Sequence, residues 1–304
     1  MLFDEFRECE MKELIYLFNI LFDIHEYEKC LSIINVMTEK TDKSFFHLDK
    51  HLRNKFAHCI KTMIHSKQLR YTHMKLRYEI DNEKLKKEKK ENQQRTITED
   101  KLEMGGESRK QISEKERLKI CLDFFRTELS EERKKLIDYC EEKLNFIDAY
   151  IFNSFPSELK EISQCEEKVF YYKLKADICR YKLDFEENEE ERKKTLDKCD
   201  YLYINGIELA RQWEMNNALL LAIQCNYCVF LYEVKGEKNE AIEYLSIVLE
   251  RINDVISKEG EIEFERMKGK EYMKVLNLIK QNIFIWSNDT SEYKVAQNKQ
   301  EEFY

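Results

Sequence analysis

This chain has very few places to bend. One proline, Pro156, and six glycines serve all 304 residues. Both residue types are costly inside helices and common where helices stop. A chain that is 37% charged and so poor in breakers is expected to be nearly all helix. Its 42% hydrophobic content, with 18 Phe and 17 Tyr, is ample for a core. The length suits one large or two small domains. A formal charge of -8 argues against general affinity for nucleic acid, whose phosphates need a basic face. The ten cysteines are scattered and form no disulfide framework. Cys225 and Cys228 have CxxC spacing, but they sit in an apolar helical run without a second pair, so they read as core. The N-terminus lacks the pattern of a secretory leader, and no apolar stretch is read as long enough to span a membrane. The expectation is a reduced, soluble, cytoplasmic protein that does not engage a membrane.

Periodicity predicts helices over residues 3–23, 26–39, 45–75, 118–153, 163–185, 192–212, 215–234, 241–256 and 270–286. The first carries Leu14, Leu17, Phe18 and Leu21 on one stripe. Phe155-Pro156 ends the fourth, since a residue before proline avoids helical geometry. Gly236 stops the seventh, and Gly260 and Gly269 bracket a polar loop. Short connections suit antiparallel neighbours. Residues 83–117 are charged with almost no apolar positions, and Gly105-Gly106 breaks any helix there, so the segment reads as part helical extension and part disordered loop. Its KLKKEKK run is interleaved with acids, which favours a solvated linker over an anion-binding surface.

The stretch richest in chemistry is Glu166–Tyr181, EEKVFYYKLKADICRY. Lys173 and Arg180 are seven residues apart, so both point the same way, and Tyr181 follows. An Arg fork, a Lys charge and a Tyr hydroxyl could together chelate a phosphate. The alternative is ordinary surface charge over an aromatic core. The six histidines all lie between residues 25 and 73. Their spacing could put several on one face, but a metal site needs convergent ligands and usually a carboxylate or thiolate partner, so a pH-sensitive basic pocket is favoured over a metal.

The run VFYYKLKADICRY resembles the central signature of the 14-3-3 family, VFYLKMKGDYYRY, with Val169, Phe170, Tyr171, Lys173, Lys175, Asp177, Arg180 and Tyr181 in register. Residues 226–233 resemble the family's NFSVFYYE, and residues 281–289 resemble DNLTLWTSD. The resemblance implies an all-α fold of nine antiparallel helices in a concave, tetratricopeptide-like bundle over residues 1–289, with a flexible tail at 290–304. No 34-residue repeat supports a true tetratricopeptide array. It also implies a dimeric adaptor that binds phosphoserine or phosphothreonine segments of client proteins, without enzymatic activity or cofactor.

By the same resemblance Arg180 and Tyr181 would hold the phosphate, with Lys173 beside them. Asn226 and Asn282 would hold the client backbone. Val229, Val275, Leu278 and Trp286 would form an apolar wall. Cys225 and Lys274 depart from the family's pattern, which would alter client preference. The third helix leaves the remaining cations open. Lys50 and Lys61 keep an eleven-residue spacing around Ala57, and a shift by one residue gives His51 and His58 instead. A third register puts Ala57 in the lysine slot. The family's first helices form its dimer interface. Here Glu26 and Lys29 invert the usual signs, and Ile20 and Ile24 stand nearby, so a homodimer that rejects ordinary family members is expected. The tail could fold back into the groove. A second reading keeps the fold without the phosphate dependence, binding acidic or unphosphorylated partners or its own tail.

Overall fold

The computed structural model describes residues 6–41, 47–96, 114–156, 158–159, 161–213, 217–259 and 269–288. For 88–96, 114–115 and 259 it describes the backbone course alone. These residues form nine helices and no strand: α1 (Met11–Asp23), α2 (Tyr27–Lys40), α3 (Lys50–Thr96), α4 (Glu114–Tyr150), α5 (Ile162–Leu183), α6 (Glu189–Leu209), α7 (Ala218–Val229), α8 (Lys238–Glu259) and α9 (269–288). The all-α expectation holds.

Helix ends follow from local chemistry. Asn188 Oδ1 accepts from the backbone N–H groups of Glu190 and Glu191 at 3.0 and 3.1 Å, and three glutamates fill the first turn of α6. Asn217 Oδ1 does the same for α7, accepting from Leu219 and Leu220. A single 3₁₀ turn, Phe152–Ser154, follows α4 just ahead of Pro156. α7 continues as a π-helical stretch, Phe230–Lys235, which ends where Gly236 takes φ 74°. His25 also adopts a positive φ, 63°, in the turn from α1 to α2.

Two expected boundaries are corrected. α1 begins at Met11 rather than residue 3, and residues 1–5 lie outside the described ones. α3 does not stop near residue 75 but runs unbroken to Thr96. Its later turns are dense in Lys and Glu, which have good helix propensity. The extension read into residues 83–117 is therefore helical up to Thr96 and again from Glu114. Gly105-Gly106, the polar loop before Gly269 and the tail at 290–304 lie outside the described residues.

The chain divides into two compact units. The first comprises Met1–Ile34 and Lys55–Lys143. Leu14, Phe18, Cys30, Ile33, Phe56, Cys59, Ile60, Leu136 and Cys140 are buried in it. α3 and α4 run antiparallel there: Arg70 pairs with Glu132 at 3.1 Å, and eight residues further along α3 Tyr78 accepts from Arg126 Nη2 at 3.1 Å.

The second unit comprises Asn35–Asn54 and Leu144–Tyr304. Its α5 and α6 are an antiparallel pair, with Cys199 Sγ donating to the carbonyl of Ala176 and Lys182 Nζ to Thr195 Oγ1. Gly206 lets these helices meet α7 closely. A Cβ there would stand 2.4 Å from Ile223 Cδ1 and 3.0 Å from Tyr172 Cβ. Leu221, Cys225, Cys228, Leu245, Ile252, Tyr272, Ile279 and Trp286 join α7, α8 and α9 in one apolar core. Contrary to the sequence reading, Ala218–Lys235 is long and apolar enough to cross a membrane, with mean hydropathy 1.2 over 18 residues. Its place in this core is a sufficient reason for that composition, since a helix packed on several sides reads as apolar all round.

Candidate functional site

The site is organised by one stripe of α5. Glu166, Phe170, Lys173, Asp177 and Arg180 follow one another at intervals of three or four, so they share a helix face. Asp177 is fully buried at its centre. A lone carboxylate there would be very costly, and three donors offset that cost. Lys173 Nζ donates to Oδ2 at 2.9 Å. Tyr203 Oη and Asn226 Nδ2 both donate to Oδ1, at 2.8 and 2.7 Å. α5, α6 and α7 are thus pinned together by one side chain. Burial pushes the Tyr203 hydroxyl well above its usual pKa, and the Asp177 charge reinforces the effect.

Arg180 lies one turn further on. Its side chain is 19% exposed, its guanidinium stacks 5.0 Å from the centre of the Tyr181 ring, and Nη1 stands 3.8 Å from Glu233 Oε2. Burial works against its charge, yet Tyr203, Asp177 and Tyr181 more than offset this and hold the group above its ordinary pKa. Arg180 Nε is buried without a hydrogen-bond partner. Glu233 sits on the π-helical stretch after α7, beside Tyr232, whose ring stacks on Trp286 at 4.4 Å.

On the other side of Lys173 a cavity of about 430 Å³ opens. Lys50, Arg53 and Asn54 reach it from the first turns of α3, Glu166, Phe170 and Lys173 from α5, Asn217, Leu219 and Ala222 from the start of α7, and Glu271 and Val275 from α9. All of these belong to the second unit. A smaller cavity of about 130 Å³ lies by His47, whose Nδ1 pairs with the buried Glu167. Burial raises the Glu167 carboxyl, and the charges of His47 and Arg53 only partly oppose it.

The other predicted residues fall as follows. Asn226 is half-buried and committed to Asp177, and Asn282 Nδ2 donates to Cys225 Sγ at 3.8 Å. Burial pushes that thiol up to about 11. Val229 and Val275 are partly buried against the α7–α9 core, Trp286 is buried in it, and Leu278 is exposed. Lys50 lines the larger cavity. His58 has its ring edge-on to Phe22 and Tyr27, at 5.4 Å from each, and Lys61 is half-buried; both belong to the first unit. Ile20 and Ile24 are 40% and 61% exposed. Glu26 and Lys29 pair with each other at 3.4 Å.

Sequence reasoning missed Arg53 and Asn54, and it missed Tyr203 and Glu233 as neighbours of the α5 stripe. Arg53 and Asn54 carried a usable signal. They stand three and four residues after Lys50, on the same helix face. The search for cations spaced seven and eleven residues apart passed over it. Among the described residues no group of three or more His, Cys, Asp and Glu could hold a metal ion.

The family model for the 14-3-3 protein matches residues 20–287. The chain is 24% identical over 158 residues to 14-3-3 protein homolog 2 of Schistosoma mansoni, covering 52% of this chain and 68% of that one. It is 28% identical over 176 residues to 14-3-3 protein I of Plasmodium falciparum (isolate 3D7), covering 56% and 62%. It is 30% identical over 166 residues to a 14-3-3 protein homolog of Neospora caninum, covering 53% and 58%. The matches thus take in roughly three fifths to two thirds of these relatives' lengths. With the family model spanning most of the sequence and an all-α fold built around the VFYYKLKADICRY helix, the chain belongs to the 14-3-3 family, as a divergent member.

Proposed function

We propose that this protein is an adaptor that binds phosphoserine or phosphothreonine segments of client proteins, works as a homodimer and catalyses no reaction. Membership of the family supports an adaptor or scaffold role. The finer reading rests on Arg180. Its guanidinium is mostly buried, its charge is reinforced by its neighbours, and its ion-pair partner Glu233 is more than half exposed at a loose 3.8 Å. A phosphate dianion approaching that face meets a guanidinium already held in place against the Tyr181 ring. Asn226, anchored through its amide nitrogen, keeps its carbonyl oxygen to accept from a client backbone N–H. Scattered free thiols support a reducing compartment such as the cytoplasm.

The test is fluorescence-polarisation binding of a phosphoserine peptide and its unphosphorylated twin. The wild type is expected to bind only the phosphopeptide, and Arg180→Ala to lose about 2–5 kcal/mol. Equal binding of the twin, or an unaffected Arg180→Ala, overturns the reading. One observation favours the scaffold alternative. The His58 ring is engaged by Phe22 and Tyr27, so this third-helix candidate already has packing partners. A client in which Glu replaces phosphoserine and binds equally well would select that alternative.

A further inference from the structure

Arg53 is the least explained side chain of the second unit. It is 6% exposed, and its Nε is buried with no hydrogen-bond partner. Its guanidinium lies over the Phe170 ring, 5.1 Å from the centre, in the wall of the 430 Å³ cavity. A buried guanidinium usually spends its donors on carboxylates or carbonyls. The charge of Arg53 does act on Glu167, but burial biases that carboxyl toward its neutral form and it already pairs with His47. Arg53 stacked on an aromatic face, with Lys50 and Lys173 in the same lining, suits a carboxylate or phosphate that can take two parallel hydrogen bonds from the fork.

We propose that this cavity is an acid-recognising subsite, which takes the carboxylate or second phosphate of a client residue about three positions from the phosphoresidue. The proposal rests on the phosphopeptide reading of Arg180. The cavity begins at Lys173, which is seven residues from Arg180, roughly 10 Å along α5. An extended peptide covers that distance in about three residues. The remaining charges of the lining fit a peptide as well. Glu166 and Glu271 face the cavity from the start of α5 and from α9, where they can accept main-chain N–H groups of the same segment. Glu166 already accepts from Asn217 Nδ2 at 3.4 Å. Lys173 is tied to Asp177, which leaves Arg53 as the fork and Lys50 as an exposed second charge.

The experiment compares phosphoserine peptides that carry Ala, Glu or a second phosphoserine three residues to either side, titrated against the full chain. The Glu and doubly phosphorylated peptides in one of the two directions are expected to bind on the order of tenfold tighter than the Ala peptide. Arg53→Gln should erase that advantage while still binding the Ala peptide. Arg53→Lys keeps the charge and the stem over Phe170 but not the fork, so it should retain only part of the advantage. That variant also guards against Arg53→Gln failing to fold. Equal affinity for all singly and doubly acidic peptides, with the Ala phosphopeptide still bound through Arg180, overturns the subsite and leaves the adaptor reading standing. An advantage that survives both Arg53 variants also overturns it. Failure of every phosphopeptide to bind overturns both.

Discussion

At the residue scale the site depends on buried charges with assigned partners. Asp177 has no exposure and accepts from Lys173, Tyr203 and Asn226. Asp177→Ala removes the buried carboxylate to which Lys173, Tyr203 and Asn226 all donate. A loss of about 3–5 kcal/mol is expected in urea denaturation; a loss under about 1 kcal/mol would show that the network contributes little. Glu167 acts in the opposite sense. Burial raises its carboxyl above the ordinary 4.5, so the folded state holds its proton longer than the unfolded chain does. Its stabilising contribution is complete below the ordinary value and is lost as pH rises through the folded one. Stability measured from pH 4 to 8 should therefore fall less steeply in Glu167→Gln than in the wild type. Parallel curves would refute this. None of these partnerships except Lys173–Asp177 is local in sequence. Only that pair, four residues apart, was legible beforehand.

At the element scale, α5, α6 and α7 approach closely because residue 206 has no side chain. Gly206→Val would drive branched methyls into Ile223 and the Tyr172 Cβ, whose backbone is fixed by α5. A destabilisation of about 1–3 kcal/mol is expected, read as a lower midpoint in thermal or urea unfolding. An unchanged midpoint would mean that α6 shifts freely. Helix existence was legible from periodicity throughout, and the caps at Asn188 and Asn217 match the residue types that cap helices. Helix length was less legible. α3 was expected to stop near residue 75 because apolar periodicity fades there. It continues to Thr96, since Lys- and Glu-rich sequence sustains a helix without an apolar face.

At the scale of the whole molecule, the first unit exposes Tyr16, Ile20 and Ile24, at intervals of four along α1 and its end. Such a stripe suits the proposed homodimer. Ile20→Glu together with Ile24→Glu should convert a dimer to a monomer in size-exclusion chromatography with light scattering. A wild type that is already monomeric at micromolar concentration would remove the proposal. Co-expression and pull-down with an ordinary family member tests partner rejection, and efficient heterodimer recovery would argue against it.

Read from the chain alone, the protein is helical, most of its helices have their places, and Lys173 and Arg180 share a face of α5. These are consequences of breaker content and of a 3.6-residue period, both local properties of the chain. What surrounds that face is set by packing between distant helices. Tyr203 and Asn226 meet Asp177 from 26 and 49 residues away, and Arg53 is buried over Phe170 although nothing in the local pattern of α3 calls for burying an arginine there. A helix's period shows which residues share a face but not which helix will cover it. Burial by a distant helix is what turns an ordinary arginine into a candidate receptor for an acid.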